Sequence, residues 1–148
     1  MRPIRHLLCG LSLAAGEYMI TGDRDSSVAC TAGAVLCDTD HIIEYAKYCH
    51  KYKVKPDFEE WNSGEYFTKK GTVEVCFHSW EICFLLWILI FILRYRSDSR
   101  IFHILEGLNI GYTAHLLMDQ IGNNVGPFAY FLTHRWIHGF KQRSLEKE

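Results

Sequence analysis

Twelve consecutive residues, 82–93, carry no charge, and apolar side chains cover every side of the helix they would form. A helix on the surface of a two-layer soluble bundle needs a polar face, and this one has none. It must be enclosed by other helices or set into a membrane. A crossing takes about 18 or more apolar residues, and here Arg94, Arg96 and Arg100 close the run first. A mean hydropathy of -0.05 is also low for a chain with several crossings. Four Trp, eight Tyr and nine Phe nevertheless suit interfacial belts. Basic residues flank residues 75–93 on both sides, in 51–70 and 94–100, which argues against one clean transmembrane helix under the positive-inside rule. We therefore expect a bundle partly embedded in a membrane, with its ionisable residues turned inward.

The chain of 148 residues has room for one core, so a single domain over residues 1–148 is expected. Three prolines leave long stretches free to be helical. Residues 1–15 imitate a signal peptide, but His6 interrupts the basic start and Glu17 follows, so the segment reads as a first helix of the mature protein. The Asp and Ser side chains of residues 22–27 can cap a second helix from about Ser27 to Leu36, whose small residues suit close approach to a neighbour. Residues 51–70 read as an exposed loop or short helices, and 75–95 and 101–121 as long helices. Residues 128–140 read as a last amphipathic helix before a charged tail. The expected fold is all-α, a compact bundle of about five helices. Sixteen basic against seventeen acidic residues exclude nucleic-acid binding by bulk charge. Six cysteines without a CxxC read as small buried core residues.

Three short segments carry the chemistry. His115 and Asp119 stand one helical turn apart on a shared face, a spacing for two ligands of one metal or for a histidine held by its carboxylate. His78 and Glu81 stand at the head of the apolar run, where burial would oblige them to find partners. Asp38, Asp40 and His41 follow an apolar stretch directly. If the helix continues there, Asp38 and His41 share a face and Asp40 points away; if it breaks, Asp40 turns inward. Glu44 belongs to this cluster or to its rim. Each pattern recurs by chance, so the weight lies on all three together. Imidazole with carboxylate is the donor set of open catalytic zinc sites and of two-metal hydrolytic sites. His134 and His138 are also one turn apart, but they read better as part of a basic, aromatic surface helix.

In this order the segments resemble the motifs of the YdjM-like membrane-bound metal-dependent hydrolases: a leucine-rich run ending in D-x-D-H (Asp38, Asp40, His41), a T-H-S (here Phe77-His78-Ser79), and G-Y-x-x-H-x-x-x-D (Gly111 to Asp119). Arg5-His6-Leu7-Leu8 resembles the family's N-terminal histidine. The chain departs from the pattern before His78, where the family has a further histidine and an arginine, and at Cys37, which replaces a proline. The resemblance implies metal ligands among His6, Asp38, Asp40, His41, His78, His115 and Asp119. The implied cofactor is a divalent metal, zinc first and manganese second, in a bacterial-type cytoplasmic membrane. Water on such a metal would attack an ester or phosphoester, a small molecule or a lipid, with Glu81 or Asp40 as the general base. The alternative is a membrane metal-binding or scaffold protein without turnover, distinguished by a metal whose every position is filled by side chains.

Overall fold

The computed structural model describes residues 3–96 and 100–145. Residues 1–2, 97–99 and 146–148, which include the basic start and the end of the charged tail, lie outside them. The order is α1 (Pro3–Thr21), α2 (Arg24–Leu36), α3 (Thr39–Tyr52), α4 (Phe58–Ser63), α5 (Glu65–Lys70), α6 (Trp80–Arg96), α7 (Arg100–Gly122) and α8 (Leu132–Ile137), with a 3-10 turn at Gln142–Leu145. The fold is all-α, as read from the sequence. The count of about five helices is corrected to eight among the described residues, because α3 forms after the turn at residues 37–38, the polar segment 51–70 contains α4 and α5, and the helix expected over 128–140 shortens to α8.

Helix α2 is the axis of the bundle, packed between α1 and α7. Its contact with α7 is backbone against backbone. A Cβ on Gly33 would lie 1.9 Å from the Leu108 carbonyl oxygen, one on Gly111 1.9 Å from that of Cys30, and one on Gly107 2.1 Å from that of Ser26. Glycine weakens a helix by about 0.5–1 kcal/mol relative to alanine, and here that cost is offset by an approach no other residue permits. Asp23 starts α2, accepting from the backbone N–H groups of Asp25 and Ser26.

Helix α6 begins at Trp80, five residues later than the hydrophobic pattern suggests. The carbonyls of Val75, Phe77 and His78 accept from side chains, which hold this stretch as a loop. Arg135 donates to those of Val75 and His78, and Tyr112 to those of Phe77 and Ser79. The outer face of α6 remains apolar and open, with Phe84, Leu85, Ile88 and Phe91 each more than half exposed. Its 17 residues reach about 26 Å, short of a hydrocarbon core of about 30 Å. Among the described residues no helix is long and apolar enough to cross a membrane, which corrects the transmembrane expectation.

A second, smaller core fixes α4 and α5 to α3 through Tyr45, Tyr48, Cys49 and Tyr66. Glu44 is buried in the same region and accepts from Lys70 Nζ at 2.7 Å and from the Glu74 backbone at 2.8 Å. It therefore serves this clamp, away from the histidines.

Two glycine substitutions should have opposite signs. Gly111→Ala should destabilise by about 2 kcal/mol as overpacking outweighs the gain in helix propensity. Gly16→Ala in α1, where nothing lies within 4 Å of an added Cβ, should stabilise by about 0.5–1 kcal/mol. Chemical denaturation of both variants checks this, and equal effects would contradict the α2–α7 contact.

Candidate metal centre

The glycine contact between α2 and α7 sets the depth at which His115 sits. Its Nδ1 lies 2.8 Å from the Ala34 carbonyl oxygen, near the end of α2. A carbonyl only accepts, so Nδ1 carries the proton and Nε2 of the neutral ring offers a lone pair. The same logic holds for His78. Its Nδ1 lies 3.1 and 3.2 Å from the two Asp40 oxygens, and Asp40 also accepts from the Phe77 backbone N–H at 2.8 Å. For His41, Tyr66 donates its hydroxyl hydrogen to the His41 carbonyl and stands 3.3 Å from Nδ1, which can then only donate to it. In these tautomers all three rings turn an Nε2 lone pair towards one place.

That place is occupied by acceptors. His78 Nε2 and His115 Nε2 are 3.0 Å apart. Asp38 Oδ1 lies 3.5 Å from the first and 3.7 Å from the second, and Asp119 Oδ2 lies 3.5 Å from both. Five edges of a tetrahedron thus measure between 3.0 and 3.7 Å. Two nitrogens bound tetrahedrally to one zinc at 2.0–2.1 Å stand about 3.3 Å apart. The donor set therefore fits a divalent cation in both chemistry and size. Groups of His78 and His115 with Cys37, of His6, Asp38 and His115, and of Asp38, His41 and His78 each bring three ligand atoms within 4.8 Å of one another. These buried His, Asp and Cys groupings can hold a metal ion.

His6, fully buried on α1, stacks on the His115 ring with centroids 3.8 Å apart and places Nε2 3.2 Å from Asp119 Oδ1. Neither of its ring nitrogens makes a well-aligned hydrogen bond. The second Asp38 oxygen is equally orphaned, at a cost of kilocalories unless a cation answers it.

Without a metal, the acceptors can be reconciled only by protons. Burial opposes charge on His115, but the Asp119 carboxylate and the Cys37 sulfur outweigh it and push the ring up to about 10. Burial likewise opposes charge on His78, yet Cys37, Asp38 and Asp40 hold it well above its ordinary value. Asp119 is driven far below the usual carboxylate range by His115 and His6 despite its burial. His41 behaves oppositely: burial, then the charge on His78, push it down to about 3.

Six of the seven expected ligands, His6, Asp38, His41, His78, His115 and Asp119, are brought to the cluster, and Asp40 stands behind it as the carboxylate that orients His78. Helix α2 stops at Leu36 and a turn at residues 37–38 precedes α3, so Asp38 and Asp40 both face inward. Glu81 is placed elsewhere. Its carboxylate accepts from the backbone N–H groups of Leu132 and Thr133, and from the Thr133 and Ser79 hydroxyls. It thereby caps α8, and despite partial burial these bonds lower it to about 2. The His134 and His138 rings lie against each other at a tilt, with centroids 4.2 Å apart, outside these groupings.

A cleft of about 690 Å³ opens onto the cluster, with Asp38, His41, His78 and Asp119 in its wall and Trp61 and Arg135 further round. Cys37 and His115 are absent from that lining and form the closed side. Sequence reading missed Cys37 as a neighbour of the site, and Arg135 and Tyr112 as the side chains that strap the loop carrying His78. No family model, curated protein or solved structure matches the chain.

The raised histidines make a signed prediction. Stability contributed by protonated His115 is complete below about pH 6.5 and is lost as pH rises through its folded value of about 10. The thermal midpoint of chelator-treated protein should fall over that interval. Added zinc should reverse the trend, because metal displaces the protons and competes with fewer of them at higher pH. A midpoint that rises with pH without metal would contradict the assignment.

Proposed function

We propose that the chain is a metal-dependent hydrolase whose metal, held where His78 and His115 meet with Asp38 and Asp119 beside it, activates water for attack on an ester or phosphoester. The observation that carries this reading is the convergence of two histidine lone pairs and two carboxylates at the wall of an open cleft. The resemblance to YdjM-like hydrolases agrees with that donor set. A bound divalent metal would supply Lewis acidity and a water of pKa about 7. The chain's own residues fix the geometry: Ala34 and Asp40 set the tautomers of His115 and His78, and Arg135 holds the carbonyls of Val75 and His78. Asp38 and Asp119 both reach cluster and cleft, and in this reading Asp38, with its second oxygen unpaired, accepts the proton of the attacking water, the role Glu81 is not placed to take.

The setting we propose is a membrane surface. The exposed apolar residues of α6 and those of α1, Ile4, Leu8 and Leu11, each at least half exposed, form the kind of surface that lipid covers. A lipid ester or phosphoester would then reach the cleft from the bilayer, and zinc is the metal of choice with manganese second.

Purified protein should contain zinc or manganese, and both His115→Ala and Asp119→Ala should lose it. The loaded protein should hydrolyse members of an ester and phosphoester panel, with both variants at least 100-fold slower, in line with the loss of metal activation. Metal binding without turnover would favour the scaffold reading, and no metal after reconstitution would overturn both.

A further inference from the structure

We propose that Cys37 is a thiolate ligand of this centre, so that the metal is held from the closed side by Cys37, His78 and His115, and the site selects zinc over manganese or magnesium. The inference rests on the metal-centre reading and adds the ligand that decides the ion and its open position.

The sulfur of Cys37 and a ring nitrogen each of His78 and His115 lie within 4.8 Å of one another. All three residues are at most 4% exposed. The two histidines supply independent evidence of a ligand there, since their Nε2 lone pairs meet at 3.0 Å with both Nδ1 protons committed elsewhere. The thiol is free to give up its hydrogen. It now donates to the Phe77 carbonyl at 3.3 Å, but Tyr112 donates to the same oxygen. Loss of the S–H therefore leaves no buried acceptor unpaired.

Position then distinguishes the ligands. Cys37 and His115 lie behind the cluster, whereas Asp38 and Asp119 line the cleft. A metal bound by two histidines and two carboxylates has every tetrahedral position filled by side chains. A metal held by Cys37, His78 and His115 has three protein ligands and one position facing the cleft, the pattern of catalytic rather than structural zinc. The two carboxylates then flank that position, close enough to hydrogen-bond a bound water. A thiolate donor also discriminates between ions, because sulfur favours zinc and cobalt, while manganese and magnesium favour oxygen.

Cobalt(II) is the probe. Chelator-treated full-length protein titrated with cobalt should show the visible d–d bands of a tetrahedral ion together with a near-ultraviolet thiolate-to-cobalt charge-transfer band. Cys37→Ser should keep the d–d bands and lose the charge-transfer band. Tetrahedral d–d bands without that band in the wild type, or a band that survives in Cys37→Ser, would overturn the thiolate assignment while leaving the metal centre standing. Absence of any cobalt spectrum would overturn both. Should Cys37→Ser fail to fold, X-ray absorption of the zinc-loaded wild type decides: a sulfur scatterer at about 2.3 Å supports the proposal, and a shell of nitrogen and oxygen alone at about 2.0–2.2 Å refutes it.

Discussion

The contact between His115 Nδ1 and the Ala34 carbonyl oxygen joins the packing of this protein to its chemistry. It forms because Gly33, Gly107 and Gly111 let α2 and α7 touch backbone to backbone. At an ordinary interhelical distance of 8–10 Å the carbonyl would be out of reach, and His115 could take either tautomer. The bond fixes a lone pair on Nε2 and aims it at His78. From that single orientation follow the facing nitrogens, the need for a cation or proton between them, and the positions of Asp38 and Asp119.

The rest of the fold holds the opposite wall. His78 lies on a loop, and the loop is rigid because Arg135 and Tyr112 occupy its carbonyls. Asp40 pins the same loop at the Phe77 N–H while it orients the His78 ring. The tyrosine cluster beyond α3 positions Tyr66 against His41, so the small second core serves the site too. Concentrating carboxylates and imidazoles at nearly full burial is costly for any fold. Here the cost is lowered because the His41, His78 and His115 rings each have a committed Nδ1 partner, and the remaining acceptors form groupings that can hold a metal ion.

Much of the site was legible because its residues stand in short local patterns. The one-turn spacing of His115 and Asp119 survives in any helix, and an acid-rich D-x-D-H after an apolar run stands out against a chain of only 22% charged residues. The all-α class was equally plain from the long apolar stretches and few prolines. What could not be read depends on partners distant in sequence. Glu81 reads as a site residue three positions from His78, but helix α6 starts between them, and its carboxylate meets Leu132 and Thr133 some fifty residues later. Cys37 reads as core by residue type, since only the break after Leu36 turns it towards the histidines. Gly33 and Gly111 announce a close approach without naming each other. The uniformly apolar α6 signals a surface to be covered, and its 17 residues fall short of a crossing.

The central claim is that one divalent ion sits where the two Nε2 lone pairs meet. Anomalous diffraction at the zinc edge, from crystals of the zinc-loaded protein, tests it most directly. The account predicts a peak about 2.0–2.1 Å from both His78 Nε2 and His115 Nε2. A peak only at the surface pair His134 and His138, or no peak near His115, would contradict it.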